Sequence, residues 1–130
     1  MAEACRTLEA KAKFGSDQKT VHLRIAEYDG RIFLYLGDKA RRVIEIGPDG
    51  WEVAVNPPVR FRHTNGMHAL PLPKKGGSID ALLQFINLKS RTDFVLVVAW
   101  LLACLRSSGP YPILAITGEQ GSAKSSFLRI

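Results

Sequence analysis

Tyr111-Pro-Ile-Leu-Ala-Ile-Thr-Gly118 runs straight into Glu119-Gln-Gly-Ser-Ala-Lys124-Ser125-Ser126, and no other part of the chain constrains its chemistry as tightly. Ile113, Ile116 and Thr117 make the first half an apolar, β-branched run, which predicts a strand over residues 113–117. Small residues then open into a loop, and helix formers resume after Lys124-Ser-Ser. The predicted order is strand, glycine-rich loop, helix.

That order carries the pattern G-x-x-x-x-G-K-[ST], the Walker A phosphate loop. Gly118 supplies the first glycine, Lys124 the lysine and Ser125 the hydroxyl, while Ala123 departs from the pattern at the last glycine. Small residues at Gly121, Ser122 and Ala123 let backbone N–H groups converge on phosphate oxygens at the positive end of the next helix. Residues Gly118, Glu119, Gln120, Gly121, Ser122, Ala123, Lys124, Ser125 and Ser126 are thus the expected nucleotide-binding set. Lys124 is the expected catalytic cation against the β- and γ-phosphates, and Ser125 the expected Mg²⁺ ligand, with ATP and Mg²⁺ as cofactors. Hydrogen bonds to charged groups contribute roughly 1.5–3 kcal/mol each, so a few approach the approximately −8 kcal/mol of a micromolar complex. The competing reading is a plain glycine-rich turn with Lys124 solvated; alanine at position 123 favours it if that position needs a positive φ.

Pro110-Tyr-Pro-Ile-Leu-Ala-Ile-Thr-Gly-Glu-Gln-Gly-Ser-Ala-Lys-Ser125, preceded by Val98-Ala-Trp-Leu-Leu-Ala103, resembles the P-loop ATPases of phages and mobile elements, a primase- or helicase-like family. Val21-His-Leu-Arg-Ile-Ala26, Gly50-Trp-Glu-Val53, Pro58-Val-Arg-Phe-Arg62 and Leu70-Pro-Leu-Pro73 look like that family's region ahead of the loop, so the resemblance covers residues 20–130. It implies that alanine before the lysine is an accepted variant. It also implies an ATP-binding role in DNA replication, and leaves an oligomer open to the complete protein.

The 130 residues suffice for one ordinary domain or two very small ones, and 46% hydrophobic with 23% charged residues excludes a disordered chain. Cys5 and Cys104 have no metal-ligand or redox spacing; a reducing, cytoplasmic compartment is expected. The start lacks the apolar segment of a secretory signal, and the apolar run 94–105 is too short to span a bilayer, so no membrane role is expected. The net charge is +6, and residues 53–79 contain no acid while carrying Arg60, Arg62, Lys74 and Lys75. Those four cations, with Phe61 between the arginines, are a candidate DNA-contacting segment; the competing reading is a solvated loop with Phe61 in the core. His22, His63 and His68 lack any ligand spacing.

The fold class expected is α+β: an antiparallel β-subdomain, two helices, then the start of an α/β P-loop domain. The expected divisions are an N-terminal helix and linker over 1–19, the β-subdomain over 20–70, a linker over 71–77, and a helical segment with the P-loop start over 78–130. Residues 20–38 predict a hairpin turning at Asp29-Gly30, with Ile32, Leu34 and Leu36 toward the core and Phe33 and Tyr35 on the other face. Val43-Ile-Glu-Ile46 and Trp51-Glu-Val-Ala-Val55 predict a second hairpin around Gly47-Pro-Asp-Gly50, and Arg60-Phe-Arg62 a short edge strand, giving four or five strands. Ser78 is the expected cap of a helix over 79–87, and Thr92 or Asp93 that of a second helix over 94–106, apolar almost all round and so expected to be buried on most faces.

Neither a Walker B acid nor an arginine finger follows Ser125, and a parallel sheet needs further strands and crossovers. The expectation is therefore a piece of a larger ATPase, without useful turnover by itself. The other function classes are a P-loop kinase acting on a small molecule and a non-enzymatic basic β-module binding nucleic acid or protein.

Overall fold

A computed structural model describes residues 2–15 and 19–121. The first helix, α1 (Ala2–Phe14), is followed by six strands: β1 (Val21–His22), β2 (Ile25–Tyr28), β3 (Arg31–Tyr35), β4 (Val43–Gly47), β5 (Gly50–Ala54) and β6 (Arg60–Phe61). A 3₁₀ helix (Ile79–Gln84) and α2 (Arg91–Ala103) complete the regular structure. The architecture is α+β, built on a four-stranded antiparallel sheet of order β2-β3-β4-β5. β1 and β6 form a separate two-stranded parallel pair.

Both hairpins form where turn chemistry places them. Asp29 and Gly30 adopt φ of 51° and 67°, matching a type I′ turn, and Tyr28 pairs with Arg31. Gly47 pairs with Gly50 across Pro48-Asp49. The first expected strand, however, is interrupted at Leu23-Arg24. There the Arg24 guanidinium donates to the carbonyls of Tyr35 and Leu36, each at 3.3 Å, and to that of His68 at 2.6 Å. One cation thereby ties β3 to the segment after β6, and the strand breaks to aim it.

The core differs from the expected one. Phe33 and Tyr35 are buried with Ala26 and Val43, and Ala54, Val59, Phe61 and Met67 pack against them. Ile32 and Leu34, on the opposite face, are only half-buried, although Leu36 beyond the strand is fully buried. Alternation along β3 identifies two apolar faces without ranking them. Burial is decided by residues 59–67, which fold over the Phe33 and Tyr35 side. Phe61 stacks on Tyr35 at 5.2 Å between ring centroids, and β6 pairs with β1 in parallel instead of extending the antiparallel sheet.

Gly37 marks the exit from β3 at φ +70°. A Cβ there would lie 3.2 Å from both Arg24 Nη1 and Met67 Cγ, so the close approach of two chain segments requires glycine. Nearby, Arg42 folds back on Asp38: its backbone N–H donates to Oδ1 at 2.9 Å and its Nε to Oδ2 at 2.6 Å.

The helices diverge more from expectation. α1 is exposed along residues 3–15. Ser78 accepts from the Asp80 N–H at 3.2 Å as expected, but it caps a 3₁₀ turn and not an α-helix. α2 begins earlier than expected, because Ser90, not Thr92 or Asp93, accepts from the Asp93 N–H at 3.1 Å. Burial of α2 is confined to one side: Phe94 and Val97 are covered, whereas Val95, Leu96, Leu101 and Leu102 are exposed. A nearly uniform apolar composition thus overstates how much of this helix is packed among the described residues.

Candidate functional site

The approach to the glycine-rich loop is anchored on α2 and the residues just after it. Trp100 Nε1 donates to the Pro112 carbonyl at 2.9 Å. The Arg106 guanidinium donates to the Pro110 carbonyl at 3.2 Å, and the Tyr111 hydroxyl to the Arg106 carbonyl at 3.4 Å. Residues 113–117 then alternate, with Leu114 and Ile116 half-buried and Ile113 93% exposed. The strand expected over 113–117 has no ladder partner among the described residues, and the sheet's edges β2 and β5 do not take it. Period-two patterning supplies strand propensity, but a strand exists only through hydrogen bonds to a neighbour.

Gly118, Glu119, Gln120 and Gly121 are exposed, and a turn forms at Gln120-Gly121. Gly121 has φ +85°, a left-handed conformation that favours glycine, and an added Cβ would meet open space. Ser122, Ala123, Lys124, Ser125 and Ser126 lie outside the described residues, as does the helix expected after them.

The basic segment is partly dispersed. Arg60 lines an open groove of about 470 Å³ together with Lys19, His22, Glu27, Tyr28 and Pro58. Lys74 and Lys75 do not line it; the Lys75 ammonium stands 5.7 Å from the Trp51 ring centroid instead. Phe61 is committed to Tyr35, and its ring lies 6.2 Å from that of His22, so it is not a free stacking platform. Lys19 and Tyr28 escape sequence reasoning because they come beside Arg60 only when separate chain segments fold together. A lone lysine before a strand and a tyrosine at a hairpin end carry no local signal for this.

His63 Nδ1 lies 3.3 Å from the Tyr35 hydroxyl, and the His68 carbonyl accepts from Arg24. Among the described residues no cluster of three or more His, Cys, Asp or Glu side chains could hold a metal ion. Nor is any described helix long and apolar enough to cross a membrane. Cys5 is exposed and Cys104 half-buried, both as free thiols.

With this geometry in place, comparison adds one family. Residues 79–130 match the model of the actinomycete integrative conjugative element replication protein family. The C-terminal part of the chain is therefore similar to a replication protein of mobile elements, from the 3₁₀ helix through α2 and the glycine-rich loop. The match does not reach the β-sheet, although the resemblance read from sequence extends back to residue 20. No curated protein and no solved structure matches the chain.

Proposed function

We propose that this chain carries the nucleotide-binding loop of a helicase- or primase-like ATPase that replicates a mobile element. The observation that carries this is a coincidence of position. The run Gly118-Glu-Gln-Gly-Ser-Ala-Lys-Ser125 lies wholly within residues 79–130, the part similar to a mobile-element replication protein. The exposed turn at Gly121 is in keeping with this reading. The family's replication role favours a DNA-directed ATPase over a small-molecule kinase.

In this proposal the amides of 118–124 and the Lys124 ammonium hold the β- and γ-phosphates, and the Ser125 hydroxyl takes Mg²⁺. Mg²⁺ supplies charge neutralisation along the triphosphate, while the loop's own part is to bind and orient. The test is titration of a fluorescent ATP analogue with and without Mg²⁺. Lys124→Ala is expected to weaken binding by about tenfold or more, the loss of one charge-assisted bond of roughly 1.5–3 kcal/mol. Ser125→Ala should remove the Mg²⁺ dependence. Equal binding by the unaltered chain and Lys124→Ala would refute the assignment.

A further inference from the structure

We propose that the groove between β1–β6 and the end of β2 binds a short run of single-stranded DNA, with phosphates against Lys19 and Arg60, which line it, and against the exposed Arg62 just past β6, and a base on Tyr28. On β6 the alternation places Phe61 inward on Tyr35, which sends Arg60 and Arg62 to the opposite, exposed side. The Arg62 backbone N–H donates to the His22 carbonyl at 2.9 Å, so the pairing of β1 and β6 fixes the spacing of both arginines. Neither guanidinium has a carboxylate partner among the described residues, whereas Arg31, Arg42 and Arg91 are each paired with an acid. Lys19 and Arg60 line the same groove as Tyr28, whose side is 56% exposed.

An aromatic face beside unpaired cations in an open channel is the combination that grips single strands without reading sequence: charge follows the backbone and the ring takes a base. Duplex DNA offers no unstacked base to Tyr28. One acid opposes the ligand. Glu27 also lines the groove, its carboxylate accepting from the Ser107 hydroxyl at 3.2 Å.

The experiment is fluorescence anisotropy of a labelled oligothymidylate with the full chain over a salt series, unfolding midpoints confirming that each variant folds. Binding should weaken steeply with salt. Arg60→Ala and Arg62→Ala should each lower affinity and reduce the log–log salt slope by about 0.7, the value per phosphate contact on a single strand. Tyr28→Ala should lower affinity about fivefold or more with the slope unchanged, and Tyr28→Phe should restore it. Glu27→Gln should tighten binding, and Lys39→Ala, away from the groove, should do nothing. The proposal fails if the arginine variants bind like the unaltered chain, if Tyr28→Ala is silent, or if duplex binds as tightly as the single strand. Lys124→Ala should leave oligonucleotide binding intact, which separates this surface from the nucleotide loop.

Discussion

Asp38 shows how one side chain sets a pH limb. The Arg42 backbone N–H, and after it the Arg42 guanidinium, hold its carboxyl below the usual carboxylate range. The unfolded chain therefore binds this proton more readily than the folded one, so the contribution is present above the ordinary carboxylate value of about 3.9 and is lost as pH falls through the lowered folded value. Urea midpoints taken from pH 5 downward should fall less steeply for Asp38→Asn than for the unaltered chain. Gly37 gives a second test at this scale. Alanine at φ +70°, pressed against Arg24 and Met67, should cost at least about 1–2 kcal/mol in urea unfolding, the penalty of left-handed backbone for an L-residue.

At the scale of elements, α2 depends on its first residue and the β-sheet on a segment outside it. Removing the Ser90 hydroxyl with Ser90→Ala should cost about 1 kcal/mol and shorten the helix, read as lost helical circular dichroism. The apolar run of α2 was readable in sequence, but its start was not, because Ser90, Thr92 and Asp93 are all good caps and only geometry chooses among them. β6 is the converse case. Two residues cannot announce their partner, and a parallel pairing with β1 some forty residues earlier leaves no local pattern. Phe61→Ala should destabilise the sheet by about 2 kcal/mol, less than the roughly 3–5 kcal/mol of a fully buried ring, because Phe61 is only partly covered.

Across the whole molecule, turn chemistry was the most legible part of the chain. Asp29-Gly30 and Gly47-Pro-Asp-Gly50 specify their hairpins through backbone conformations that few residues adopt, and both form. Face selection was not legible: β3 is apolar on both sides, and which side is buried depends on Val59, Phe61 and Met67, brought in from afar. The proposed phosphate loop is a local pattern and was read from eight consecutive residues, whereas the groove beside Arg60 is assembled from three separate segments and could not be. α1 stands apart from all of this, since residues 3–15 are exposed. Deleting residues 1–15 should change the unfolding free energy by no more than about 0.5 kcal/mol, as for surface changes away from packed groups.

The bond from Trp100 to the Pro112 carbonyl turns an indole into an optical gauge of the segment leading to Gly118. The only other indole belongs to Trp51 on β5, so Trp51→Phe leaves a single emitter. Its colour and brightness then track whether Pro112 stays docked, and the nucleotide binding proposed for the loop a few residues downstream can be sought by light alone.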